Sequence, residues 1–185
     1  MKKQYLEIFE IEDLADLPNA VMKVLFGDVE QRNCIYKKLL RLWNYDLSVE
    51  HFSEVYESEM SERKDKKQDF TPQQVSELCA MLTQKEGIIH EPTAGNGSMI
   101  ISYWWNMAKK LPPHLFKPSD CIISAWELSN RSLPILLLNL SIRGIMGEVY
   151  HGDVLEQKYK NRYVLLNEEN NPIGFSKIVI NNEIQ

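Results

Sequence analysis

His90-Glu91-Pro92-Thr93-Ala94-Gly95-Asn96-Gly97-Ser98 stands between a short apolar run, Gly87-Ile88-Ile89-His90, and a helical stretch near 98–109. A strand, a glycine-bearing turn and a helix in that order form the opening of a nucleotide-binding sheet. Gly95 and Gly97 let the chain turn tightly and let a ligand press against backbone. The first N–H groups of the helix that follows favour an electronegative group. A G-x-G by itself is weak, because many tight strand-to-helix turns contain one.

The neighbouring sequence repeats the pattern. Cys121-Ile122-Ile123-Ser124-Ala125-Trp126 and Glu148-Val149-Tyr150-His151 read as second and third strands, with a helical stretch near 129–142 between them. Strand, helix, strand, helix, strand predicts a mostly parallel sheet with right-handed crossovers, hence a three-layer α/β Rossmann-like core. Tyr163-Val164-Leu165-Leu166-Asn167 and Lys177-Ile178-Val179-Ile180 read as two more strands. Asn170-Asn171-Pro172-Ile173-Gly174 between them is strong turn chemistry, so a C-terminal β-hairpin is expected.

Acids close these strands. Glu127, thirty residues past Gly97, follows the second strand and is placed to accept both hydroxyls of a ribose. The simpler alternative is a carboxylate capping the helix that begins near Ser129. Asp153 follows the third strand in His151-Gly152-Asp153, where it could accept from the exocyclic amine of an adenine. Three acid-bearing strand ends in one order are far less common by chance than one.

Upstream, the pattern is helical from Tyr5 to about Ser61, with Pro18-Asn19 and Gly27-Asp28 read as breaks and Trp43 and Phe52 as anchors. A polar run from Ser61 to Gln68 reads as a connector, dividing the chain into an N-terminal helical segment, 1–61, and a core, 62–185. Thr71 is the expected N-cap and Pro72 the first residue of a helix whose apolar face is Val75, Leu78, Cys79, Met81 and Leu82. Tyr103, Trp104 and Trp105 are assigned to core packing.

The 185 residues are 44% hydrophobic and 25% charged, which excludes disordered and collagen-like classes. No apolar run reaches the ~18 residues of a bilayer span, and no apolar leader opens the chain, so a cytoplasmic protein is expected. Three scattered cysteines support neither a disulfide framework nor a zinc site, and no metal is expected. The net charge of −5 sits wholly in the first 60 residues, which hold 7 Lys and Arg against 12 Asp and Glu. Neither part carries the basic excess of a free-standing nucleic-acid binder.

Taken together, these motifs resemble the S-adenosylmethionine-dependent DNA adenine N6-methyltransferases, in particular the modification subunits of type I restriction systems and their phage-borne short forms. Phe70-Thr71-Pro72-Gln73-Gln74-Val75 is similar to the family's F-T-P-x-x-V segment, which contacts the methionine end of the cofactor. Glu91-Pro92-Thr93-Ala94-Gly95-Asn96-Gly97 is similar to its D-P-x-C-G-T-G loop. Glu127 falls where the family binds ribose, Asn139-Leu140-Ser141-Ile142-Arg143-Gly144 resembles its N-L-x-I-x-G stretch, and Gly152-Asp153 its G-D pair. The resemblance implies S-adenosyl-L-methionine held by Phe70, Thr71, Pro72, Glu91, Thr93, Ala94, Gly95, Gly97, Glu127 and Asp153. The reaction it implies is methyl transfer to the exocyclic amine of adenine, through positioning of the amine in line with the methyl sulfonium.

The chain departs from the family at the end of the fourth strand, where members carry Asn/Asp-Pro-Pro-Tyr/Phe. Asn171 and Pro172 are the nearest candidates for the catalytic acceptors, yet they fall in the expected hairpin turn. Ile180-Asn181-Asn182-Glu183 lies at a strand end without proline or an aromatic ring. A basic track and a target-recognition region are also missing from this stretch. DNA as partner, a partner subunit, and a catalytically silent relative acting through cofactor or protein binding all stay open at this point, as does a methyl acceptor other than duplex DNA.

Overall fold

The computed structural model describes residues 2–53, 55, 71–83, 88–112 and 114–181. Three helices lead: α1 (Lys2–Phe9), α2 (Leu17–Leu25) and α3 (Val29–Leu42), with a 3₁₀ turn at Leu14–Asp16. Asp28 starts α3 as the sequence predicts a break there, its carboxylate accepting the Gln31 N–H at 2.8 Å. Pro18 does not break a helix. It sits in the first turn of α2, where its missing N–H costs nothing.

Next come α4 (Gln73–Leu82), β1 (Ile89–Glu91), α5 (Ser98–Ala108), β2 (Ile122–Glu127), α6 (Ser132–Ile142), β3 (Met146–Asp153), β4 (Lys158–Leu166) and β5 (Lys177–Asn181). One sheet holds all five strands in the order β1-β2-β3-β4-β5. The first three are parallel; β4 returns antiparallel to β3, and β5 runs antiparallel to β4, forming the expected hairpin. This is the α/β, Rossmann-like architecture that the strand-helix alternation implies.

β1, β2 and β3 advance in one direction across the sheet. Right-handed crossovers therefore lay α5 and α6 on the same face. Burial along β2 shows it: Ile123, Ala125 and Glu127 are buried, while Ile122, Ser124 and Trp126 on the other face are half-buried. Every residue of α6 is buried, which suits a helix that is apolar all round. α6 lies between the sheet and the N-terminal helices, and one apolar core runs from Tyr5 to Ile178. Trp43 and Phe52 anchor that N-terminal part: the Trp43 indole N–H donates to the Tyr5 hydroxyl at 2.8 Å, and the Phe52 ring packs on Tyr5.

Two local expectations are corrected. Pro72, not Thr71, takes the N-cap position of α4, without a side-chain cap hydrogen bond. That helix also buries Ser76 and Ala80 and exposes Val75, Leu78, Met81 and Leu82. Serine and alanine four positions apart form a flat stripe that lets α4 lie close against α5, so contact is made on the small face instead of the apolar one. Tyr103 and Trp104 are buried as predicted, whereas Trp105 is exposed. No helix among the described residues is long and apolar enough to cross a membrane.

Candidate functional site

Each parallel strand ends on an acid: β1 on Glu91, β2 on Glu127, β3 on Asp153. The glycine turn occupies the same end. Its Ala94 N–H donates to the Trp126 carbonyl at 2.9 Å, stitching the turn to the end of β2. Gly95 and Gly97 take left-handed backbone conformations, with φ of 54° and 97°. A Cβ on Gly97 would meet Leu136 Cδ1 at 3.0 Å, so this glycine serves the packing of α5 on α6. A Cβ on Gly95 would meet nothing within 4 Å, so the space above that residue is open to a ligand.

The helix cap read for Glu127 is corrected, since α6 opens at Ser132 with Arg131 at the N-cap position and no side-chain cap hydrogen bond. Glu127 instead bridges two loops. Its buried carboxylate accepts the Gly95 N–H at 2.6 Å through Oε2 and the Ser129 N–H at 2.6 Å through Oε1. It thus joins the glycine turn to the start of the next connection. Each carboxylate oxygen keeps a further lone pair for a hydroxyl donor. Glu91 Oε1 accepts the Thr93 N–H at 3.2 Å, shaping the exit from β1. Asp153 Oδ1 accepts the Leu155 N–H at 2.9 Å and thereby closes the turn between β3 and β4.

Glu91, Thr93, Ala94, Gly95, Gly97, Glu127 and Asp153 therefore share the carboxyl end of the parallel strands. Thr71 and Pro72 are exposed ahead of α4, with no hydrogen bond to the glycine turn among the described residues. Phe70 lies outside the described residues. Asn171 and Pro172 are carried away from this group. β4 runs its nine residues back toward the amino end of the parallel strands, roughly 25 Å. There the Gly174 N–H donates to the Asn171 carbonyl at 3.0 Å, closing a β-turn. Ser176 fastens the same connection to the Ser141 and Ile145 carbonyls, at the foot of β3.

Three further features sit at or near the glycine turn without having been assigned a role from sequence. His151 pairs with Glu127 across β2 and β3 and is buried, its Nε2 without a hydrogen-bond partner among the described residues. Burial, together with the nearby Lys160 charge, holds its ring below the ordinary histidine pKa, so it is neutral at pH 7. Asn139, at the centre of α6, donates to the Asn96 carbonyl at 2.9 Å. A cavity of about 440 Å³ opens beside the free edge of β1, lined by Ala80, His90, Glu91, Met99 and Tyr103 among others. A solitary buried histidine or asparagine carries no periodic signal, and the cavity depends on the close approach of α4. Among the described residues no group of His, Cys, Asp or Glu could hold a metal ion.

On the open face of the sheet, Trp126 and Tyr150 stack at 4.8 Å and Tyr159 meets both edge-on. Strict alternation along β4 would put Tyr159 on the helix-covered face with Tyr163. The ladder instead pairs His151 with Asn161 and Gly152 with Tyr159, leaving Lys160 as an extra, bulged residue that turns Tyr159 over.

A family model described as N-6 DNA Methylase matches residues 47–182, most of the chain and all five strands. The chain belongs to this family. No curated protein matches it. N-6 DNA methylases are DNA N6-adenine methyltransferase-like proteins, and members use S-adenosylmethionine as methyl donor. The matched region opens at residue 47, so it takes in the last part of the N-terminal helical segment as well as the sheet.

Proposed function

We propose that this chain binds S-adenosylmethionine across the carboxyl end of β1, β2 and β3 and serves methyl transfer to the exocyclic amine of adenine in DNA. The observation that carries the reading is the buried Glu127 carboxylate bridging Gly95 and Ser129, next to open space above Gly95. A ribose needs such an arrangement: an acceptor with spare lone pairs beside backbone that no side chain covers. When bound, the cofactor supplies an electrophilic methyl group on sulfur.

In this reading Glu127 accepts the ribose hydroxyls, Gly95 and Gly97 give close backbone approach, and Asp153 faces the adenine end. Glu91, Thr93 and Ala94 shape the turn, and Phe70, Thr71 and Pro72 meet the methionine end. The cavity beside β1 borders the turn through Glu91 and Met99, and its about 440 Å³ is within the usual span of roughly 300–1,000 Å³ for a small-molecule site. It is the room the reading assigns to the methyl acceptor. Calorimetric titration with S-adenosylmethionine and S-adenosylhomocysteine tests the cofactor half. Micromolar binding followed by radiolabelled methyl transfer to DNA is the expected result, and absence of binding at millimolar ligand would overturn it.

A further inference from the structure

We propose that Glu50 is a positioning residue for the glycine turn, acting through Asn139, so that the segment before the sheet holds the cofactor loop in shape. The inference rests on the cofactor reading above for its consequence, but its geometry stands independently.

Asn139 is fully buried, and its side-chain amide is spoken for at every atom. One N–H of Nδ2 donates to Glu50 Oε1 at 2.9 Å and the other to the Asn96 carbonyl at 2.9 Å. Its Oδ1 accepts from Arg143 Nη1 at 3.0 Å. Asn96 is the residue between the two left-handed glycines, and the Gly97 N–H donates to the Ala94 carbonyl at 2.8 Å. Gripping the Asn96 carbonyl therefore fixes the plane of the peptide joining Asn96 to Gly97, and with it the direction of the first N–H groups of α5.

Glu50 is in turn placed by the backbone around it. Its Oε1 also accepts the Phe52 N–H and its Oε2 the Ser53 N–H, each at 2.8 Å. Arg143, buried at the C-cap of α6, clamps the same stretch by donating to the Leu47 carbonyl at 2.9 Å and the Val49 carbonyl at 2.5 Å. Burial lowers its pKa to about 10, which leaves it cationic at neutral pH. A continuous chain of hydrogen bonds thus runs from residues 47–53 through one amide to the middle of the turn.

Two conservative variants separate positioning from mere anchoring. Glu50→Asp keeps a carboxylate able to cap the Phe52 and Ser53 N–H groups but is one methylene too short to reach Asn139. Glu50→Gln keeps the reach and an acceptor oxygen. Hydrogen exchange of the full chain without ligand is measured first. Glu50→Asp is expected to speed exchange at residues 95–97 about tenfold while the strands keep their protection, and Glu50→Gln to stay near wild type. S-adenosylhomocysteine affinity should follow, falling about tenfold in Glu50→Asp alone. Unchanged exchange at 95–97 in Glu50→Asp, or a rise spread evenly over the chain, overturns the proposal. Failure of the wild type to bind S-adenosylhomocysteine overturns the cofactor reading instead and leaves the exchange result to decide the role of Glu50.

Discussion

The Glu127 carboxylate and the Gly95 N–H, 32 positions apart in sequence, meet at 2.6 Å. Removing the carboxylate leaves two N–H groups without their acceptor and, in the proposed site, two ribose hydroxyls as well. Glu127→Ala should weaken S-adenosylhomocysteine binding by about 1–3 kcal/mol in calorimetry and lower unfolding stability by a similar amount. Glu127→Gln, which keeps one acceptor oxygen, should fall between. Wild-type affinity in the alanine variant would remove Glu127 from the binding site.

The two turn glycines should separate stability from binding. Gly97→Ala strains a left-handed backbone and drives a Cβ to 3.0 Å from Leu136 Cδ1, so about 2–4 kcal/mol of stability should be lost in urea titration. Gly95→Ala meets no neighbour and should cost only about 1–2 kcal/mol. Its methyl group projects into the space assigned to the ligand, so affinity should fall more steeply than stability. The reverse order of the two stability losses would contradict the packing described.

Asn171→Ala should leave cofactor affinity unchanged. Asn171 Oδ1 accepts the Ile173 N–H, at 3.0 Å, in a turn at the far end of β4. The expected cost is about 0.5–1 kcal/mol in thermal denaturation. Methyl transfer to DNA should persist in this variant; loss of transfer with affinity intact would give Asn171 the acceptor role its sequence context implies.

Alkaline pH should destabilise the fold through Tyr36 and Cys121. Burial pushes the Tyr36 hydroxyl, which donates to Ser141 Oγ at 2.8 Å, up to about 12, and it pushes the Cys121 thiol up to about 12. Above the ordinary pKa of each group the unfolded chain releases a proton that the folded chain retains, so stability falls as pH rises from about 9 toward 12. Below pH 9 this contribution is fully present. Tyr36→Phe should cost about 1 kcal/mol at pH 8 through the lost hydrogen bond and should show a shallower decline between pH 10 and 12. Urea titrations at stepped pH measure both. Parallel curves for the two proteins would exclude Tyr36 as a contributor.

Much of the architecture could be read before the structure because its signals are local. A glycine turn after an apolar strand, repeated strand-helix alternation and the turn chemistry around Pro172 each concern a few adjacent residues. Glu127 presented two local readings, ribose acceptor and helix cap; the structure corrects the second, because α6 opens only at Ser132, and leaves lone pairs for the first. What could not be read depends on pairs of elements. The apolar stripe of α4 does not say which side faces α5, because Ser76 and Ala80 permit a closer approach than Leu78 and Met81. Asn139 in an apolar helix and Arg143 at its C-cap take partners from residues about ninety positions away. Asn171 has a family-like neighbourhood in sequence, but the hairpin carries it off.

The extra residue in β4 has a consequence for how this chain tolerates change in length. Losing one residue inside a strand ordinarily inverts every side chain beyond it, exchanging wet and dry positions up to the next turn. Lys160 is the exception, since the ladder already passes over it. Its deletion would leave Tyr159 adjacent to Asn161 and opposite Gly152, on the side it already occupies. The three-ring cluster is therefore written into the count of residues between Arg162 and the turn, and at this one point the count can shrink without rewriting it.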